Sequence, residues 1–348
     1  MRLLFAGTSD IGIPSLKALM TQHELVGLLT QPDRPVGRHQ TLTAPATKEF
    51  LKKELSPLIR AAWQPPDRLP KAAPMERASC IHNCVDELAG TDPFLIPIFQ
   101  PEQLRDPLVL EQLRSLHPDV IVTMSYGKIF PRELLELPSI ACLNIHTSLL
   151  PRHRGATPIQ AAILAGDEQT GITIMHMAEG LDTGDIVLQK KISLAPQETA
   201  GSLTERLAAL APEALLEALK VLETGKAPRT PQAAEGITHT RQITRADAAM
   251  DFTRSAVELD RLIRAMNPKP GAHGTFLLPS EKLITLKVFS VATSSEVFSE
   301  KPGSLFLSQD QKLLLACGEG TLQLHEVQPE GRARMSAAAF VGGYFPHA

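Results

Sequence analysis

Aromatic residues are scarce in this chain, 4% of 348 residues with a single Trp and two Tyr, yet the 43% apolar content is enough for a real core and excludes long-range disorder. Cysteine is sparse too. Four scattered over this length make no disulfide framework, which fits a reducing compartment. No run approaches the roughly 18 consecutive apolar residues of a membrane helix, and Met1 to Ala6 is too short before Gly7 and Asp10 for a secretory segment. The expectation is a cytoplasmic protein with no membrane partner. Neither sign of charge dominates: 35 Lys and Arg stand against 38 Asp and Glu, a net charge of -3, which excludes attachment to nucleic acid by bulk charge alone. A local basic patch remains open. No internal repeat, heptad or large apolar stripe is present, so a monomer is the default.

Familiar site motifs are also missing. Gly7-Thr8-Ser9-Asp10-Ile11-Gly12 lacks the middle glycine of a dinucleotide fingerprint, no P-loop lysine follows it, and no nucleophile elbow occurs. Cys80-Ile81-His82-Asn83-Cys84 offers three metal ligands without a second pair at suitable spacing, so no metal is expected.

What is present is strands alternating with helices. Arg2 to Ala6 reads as a buried strand, followed by a helix near Pro14 through Met20 and a second strand from Glu24 to Thr30. A Pro/Gly-rich loop holding Arg34 and Arg38 comes next, then a helix from Thr43 to Leu55. Prolines crowd residues 56–92, which read as an insertion or extended loop. Strands at Phe94 to Phe99, Val120 to Met124, Ala141 to His146, Ile172 to Met177 and Ile186 to Ile192 resume the pattern, with helices at Leu108 to His117 and Pro158 to Ala165. Ser202 and Glu205 read as a capping box opening a helix towards Leu222 that breaks at Pro212. This is an α/β pattern with a mostly parallel sheet, whose active sites gather at the carboxyl ends of strands. Periodicity is lost around 225–238, a linker. Residues 1–224 form one domain, and 239–348 hold a helix capped by Ser255 and Glu258 plus several short strands, a small barrel or sandwich.

One strand end stands out. In Ala141-Cys142-Leu143-Asn144-Ile145-His146, alternation puts Asn144 and His146 on one face. Two polar groups without partners there would cost on the order of 2 to 7 kcal/mol each in an apolar setting, so something must meet them. A lone histidine of this kind would favour a structural role. The shared face, and the apolar then basic loop Ser148-Leu149-Leu150-Pro151-Arg152 behind it, favour chemistry.

Asn144, His146 to Pro151 and Leu181-Asp182-Thr183-Gly184-Asp185 together resemble the folate-dependent formyltransferases. Gln31 to Arg38, Ser125-Tyr126-Gly127, Pro158-Ile159-Gln160, Gly171 to Met175, Gln328-Pro329 and Met335-Ser336-Ala337 fall in the order found in members acting on methionyl-tRNA. The resemblance covers nearly the whole chain and is most specific between Asn144 and Asp185. It implies a Rossmann-like catalytic domain and a carboxyl-terminal OB-like β-barrel that binds tRNA. It also implies 10-formyltetrahydrofolate as co-substrate and the amino group of methionyl initiator tRNA as acceptor. Asn144, His146 and Asp182 would be the catalytic trio, with amide and imidazolium stabilising a tetrahedral oxyanion and His146 or Asp182 handling the proton. Ser148, Leu149, Leu150 and Pro151 would contact the folate; Arg34 and Arg38 would contact tRNA. The sequence departs from relatives at His39-Gln40-Thr41, where they carry Gly and lysines, and in the insertion. Two alternatives stay in view: a sister formyltransferase acting on a small amine, such as glycinamide ribonucleotide or an amino sugar nucleotide, and a non-catalytic RNA-binding module.

Overall fold

The computed structural model describes the chain except residues 38, 63–95, 226, 297–298 and 346–348, and gives only the backbone at 55–62. Arg38, the Cys80 to Cys84 cluster and most of the 56–92 insertion therefore lie outside the described residues. The chain forms two compact units, one of Met1–Pro151, Ile172–Lys190 and Leu207–Glu235, the other of Arg152–Gly171, Lys191–Arg206 and Gly236–Ala348.

A seven-stranded sheet dominates the first unit, in the spatial order Ile186–Ser193, Gln169–His176, Ala141–His146, Val120–Met124, Arg2–Gly7, Glu24–Leu29, Ile98–Phe99. From Ala141–His146 to Ile98–Phe99 neighbouring strands run parallel, whereas Gln169–His176 runs antiparallel to Ala141–His146. Val120–Met124 is buried at every position, which explains its unbroken apolar run: a strand covered on both faces has no wet side to mark with polar residues. The strands are flanked by helices Ile13–Gln22, Ala46–Ala62 and Pro107–Ser115. The expected mostly parallel α/β sheet is thus present.

Two prolines mislead in the sequence. The second helix runs from Ala46 to Ala62 through Pro57, rather than from Thr43 to Leu55. Likewise Ala200–Glu223 is one helix with Pro212 inside it. A helical proline costs about 3 kcal/mol. Leu203, Leu207, Leu215, Leu219 and Leu222, all at most 4% exposed, stabilise the same helix by about 1.5–3 kcal/mol each, so burial wins. Its capping box also lies a turn earlier than Ser202 and Glu205 suggest. The Ser202 N–H donates to Thr199 Oγ1 at 3.1 Å and the Thr199 N–H to Ser202 Oγ at 3.0 Å, so Thr199 is the cap and Ser202 its reciprocal partner.

In the second unit an antiparallel sheet curls into a half-barrel, ordered Ala272–Leu277, Leu283–Ser294, Thr321–Pro329, Leu313–Ala316, Leu305–Leu307, with Met335–Ser336 beside Thr321–Pro329. The first of these strands escapes sequence reading because His273, Gly274 and Thr275 interrupt its apolar pattern; a Cβ on Gly274 would lie 2.7 Å from the Phe252 ring. Helix Ala256–Ala265 starts at the expected Ser255–Glu258 capping box. Several basic residues of this unit are engaged internally: Arg264 holds Asp260 at 2.8 Å, Lys287 donates to Pro270 O at 2.9 Å, and Arg334 stacks 3.4 Å over Phe289. The turn after Pro151 is similarly tied, with Arg152 and His153 both on Asp167 at 2.5 and 2.7 Å. Among the described residues no helix is long and apolar enough to cross a membrane.

Candidate active site

The Asn144 and His146 side chains leave the carboxyl end of Ala141–His146, as alternation requires, with His146 5% exposed and Asn144 half-buried. Asp182 meets both. Its Oδ1 lies 3.4 Å from Asn144 Nδ2 and its Oδ2 lies 3.7 Å from His146 Nδ1. One carboxylate therefore spans the amide and the imidazole, a spacing of 38 residues from Asn144 closed by the fold.

The backbone around Asp182 is shaped for this. Asp182 sits in the left-handed region at φ 52°, which disfavours a side chain with a Cβ and so must be held by its surroundings. Gln232 holds it: Nε2 donates to the carbonyls of Asp182 and Gly184, both at 2.8 Å. Gly184 is required by contact rather than by φ, since a Cβ there would lie 1.7 Å from the carbonyl oxygen of His176. The Leu-Asp-Thr-Gly-Asp run is thus a turn pressed against the end of the antiparallel strand Gln169–His176.

From the other side, Thr123 Oγ1 donates to Asn144 Oδ1 at 2.7 Å, the two residues being register partners in neighbouring parallel strands. Cys142 is no competitor as a nucleophile. Burial pushes its thiol well above the usual cysteine range, and its Sγ packs 3.5 Å from Met177 Sδ.

The loop from Ser148 to Pro151 is pinned through its backbone. Thr173 Oγ1 donates to Ser148 O at 2.6 Å and accepts from the Leu150 N–H at 3.2 Å, while Gln189 Nε2 donates to Leu150 O at 2.9 Å. Ser148 and Leu150 are buried and Leu149 and Pro151 half-exposed, so of the four residues the last two offer side-chain surface to a ligand. Arg34 lies in an exposed hairpin, where its Nη2 donates to Gln31 Oε1 at 3.1 Å.

Thr123, Gln232, Thr173 and Gln189 were not found by sequence reasoning. Thr123 left a trace there as the one hydroxyl in Val120-Ile121-Val122-Thr123-Met124, and Thr173 lies within the family-like run Gly171 to Met175 without being singled out. The others act across long sequence separations through contacts that local patterns do not encode. Among the described residues no group of three or more His, Cys, Asp or Glu side chains is arranged to hold a metal ion.

Chemically, the cluster presents amide N–H donors, an imidazole and a carboxylate within one small space, a set able to stabilise an oxyanion and move a proton. Comparison with known proteins gives this context. Residues 1–219 match the family described as formyl transferase, and residues 242–344 match its C-terminal domain. A methionyl-tRNA formyltransferase of Akkermansia muciniphila is 39% identical over 344 residues, covering 99% of this chain and 97% of that one. One from Myxococcus xanthus is 39% identical over 343 residues, 99% and 95% of the two chains. Among solved structures, an N-formyltransferase of Helicobacter canadensis in complex with folinic acid and dTDP-3-aminofucose superposes with TM-score 0.60 at 13% identity, covering 92% of this chain and 98% of that one. HypX of Aquifex aeolicus in complex with tetrahydrofolic acid gives TM-score 0.52 at 19% identity, over 69% of this chain and 41% of that longer one. These two likenesses are of fold.

Proposed function

Because the chain belongs to the formyl transferase family, in its amino-terminal and carboxyl-terminal domains alike, we propose that it moves the formyl group of 10-formyltetrahydrofolate to the amino group of methionyl initiator tRNA. The observation that carries this reading is the single Asp182 carboxylate facing both Asn144 and His146. Full-length relatives that are methionyl-tRNA formyltransferases support the choice of acceptor.

In this reaction the amine nitrogen attacks the formyl carbon and the C=O electron pair moves onto oxygen. Asn144 Nδ2 carries two protons; one is directed at Asp182, the other is offered to that oxygen. His146 in its protonated form is the second donor. The nitrogen then sheds a proton, to Asp182 while His146 is protonated or to His146 once it has passed its own proton to N10; the bond from the formyl carbon to N10 breaks and N10 ends protonated. Tetrahydrofolate and formylmethionyl-tRNA leave. Preorganised donors of this kind contribute about 10²–10³ in rate each, because they need not reorient as charge develops.

Leu149 and Pro151 would line the folate, on a loop whose backbone bonds to Thr173 and Gln189 fix it independently of ligand. Arg34 and Arg38 would meet tRNA phosphates. In this reading residues 1–224 carry the chemistry and 239–348 bind tRNA across a linker at 225–238, with the cytoplasmic chain acting as a monomer.

The test is to incubate the protein with 10-formyltetrahydrofolate and, separately, methionyl initiator tRNA, glycinamide ribonucleotide or an amino sugar nucleotide. Formylation of the tRNA alone is expected. Preferential formylation of a small amine would replace the acceptor, and RNA binding with no formylation of anything would leave a non-catalytic module.

A further inference from the structure

Thr123 is 3% exposed in a strand otherwise made of Val, Ile and Met. Valine would fill the same β-branched shape there without a hydroxyl to satisfy, so the oxygen calls for a reason. Its partner supplies one, since Thr123 Oγ1 lies 2.7 Å from Asn144 Oδ1. We propose that Thr123 is a positioning residue for formyl transfer, holding the Asn144 amide in the plane that keeps Nδ2 turned to Asp182 and the reacting oxygen. The inference rests on the reading of Asn144 as an oxyanion donor.

An amide has two ends of nearly equal shape, and its neighbours must choose between them. Asp182 makes the choice, because an ionised carboxylate only accepts and so must face the NH2 end. That contact is 3.4 Å long, however, and a bond so stretched holds a side chain loosely. Thr123 supplies the short bond. Among the described residues the only other group within reach of its hydroxyl proton is Met177 Sδ at 3.5 Å, a weak acceptor, so the proton goes to the amide oxygen. Selection thus falls to Asp182 and restraint to Thr123. A donor free to swing is no longer preorganised, and part of its rate contribution is lost although the group remains in place.

The experiment is steady-state kinetics of Thr123→Val and Thr123→Ser, together with Asn144→Ala and the double variant Thr123→Val/Asn144→Ala, each checked for folding by its melting curve. Thr123→Val is expected to lower kcat about 10-fold or more while both KM values stay within about two-fold, because an orientation used in the transition state is lost. Thr123→Ser, which keeps the hydroxyl, should return kcat to within about three-fold of wild type. In the Asn144→Ala background the valine exchange should cost nothing further, since nothing is left for Thr123 to hold. Full kcat in Thr123→Val beside an inactive Asn144→Ala overturns this inference alone. So does an equal loss from the valine exchange in both backgrounds, which would mark a merely structural residue. If Thr123→Val does not fold, Thr123→Ala against Thr123→Ser asks the same question, and equal kcat in those two overturns it. Wild-type turnover in Asn144→Ala would instead sink the oxyanion reading on which the inference stands.

Discussion

The Asn144–His146–Asp182 cluster and the hairpin Arg34–Val36/Thr41–Thr43 belong to the same unit and treat polar and apolar groups in opposite ways. In the cluster, polar side chains are largely withdrawn from solvent and meet one another: the side chains alone of His146 and Asp182 are 6% and 10% exposed, and Asn144 is half-buried. In the two hairpin strands every residue is exposed, Val36 at 56% and Leu42 at 67%. A lone two-stranded hairpin is marginal in water, and what fixes this one is its base. Lys48 Nζ bonds Asp33 at 3.0 and 3.1 Å and Gln100 Oε1 at 2.6 Å, and Gln31 Nε2 reaches Tyr126 O at 3.2 Å. Burial pushes the Asp33 carboxyl up, but the bonds from Gln100 and Lys48 outweigh it and leave it below the usual range, charged and able to anchor. A largely buried cluster of fixed polar groups suits chemistry, whereas a pinned base with exposed strands suits contact with a large partner.

If that division is right, changes in the cluster should act on kcat and changes in the hairpin on binding. The largest expected effect is from Asn144→Ala, His146→Ala or Asp182→Ala, each lowering kcat for formyl transfer by about 10² to 10⁴ with the melting curve little changed. Near wild-type turnover in a folded variant removes that residue from the chemistry. A smaller effect, up to about ten-fold in KM for tRNA with kcat preserved, is expected from Arg34→Ala. Its contact with neutral Gln31 leaves its charge uncompensated by that bond, and loss of one phosphate contact should lower the slope of log KM against log salt by about one. A change in kcat without a change in salt slope would break the comparison.

How far each region could be read from sequence follows the same division. Asn144 and His146 were legible because period-two alternation alone puts them on one face, and Asp182 because the run around it resembles a family pattern. The parallel sheet was legible from its unbroken apolar strands. Thr123, Gln232 and Thr173 were not, since their partners lie 21, 50 and 25 residues away and their local sequence carries no sign of it. Pro57 and Pro212 misled for the converse reason. A proline's local cost is visible in sequence, while the buried leucines that outweigh it in Ala200–Glu223 count only once the helix has packed.

A third region calibrates the other two, because it is as buried and polar as the cluster but has no part in the proposed reaction. Glu198, 4% exposed, opens helix Ala200–Glu223 and accepts from Ser202 Oγ at 2.6 Å, from the Ala195 N–H at 3.3 Å and from Arg206. Burial raises its carboxyl and those bonds lower it by more, so the folded value lies below the ordinary Glu range. A depressed folded value means that its stabilisation is complete above the unfolded value and is lost as pH falls through that value towards the folded one. Glu198→Gln should therefore cost about 1 kcal/mol at pH 7, and the gap in melting temperature from wild type should shrink on acidification below about pH 4. Formyl transfer at neutral pH should be unaffected in this variant, in contrast to any substitution of Asp182. A gap that stays constant with pH would mean the carboxylate charge does nothing for the fold, and a loss of kcat would mean that burial alone does not separate structural carboxylates from those that act on substrate.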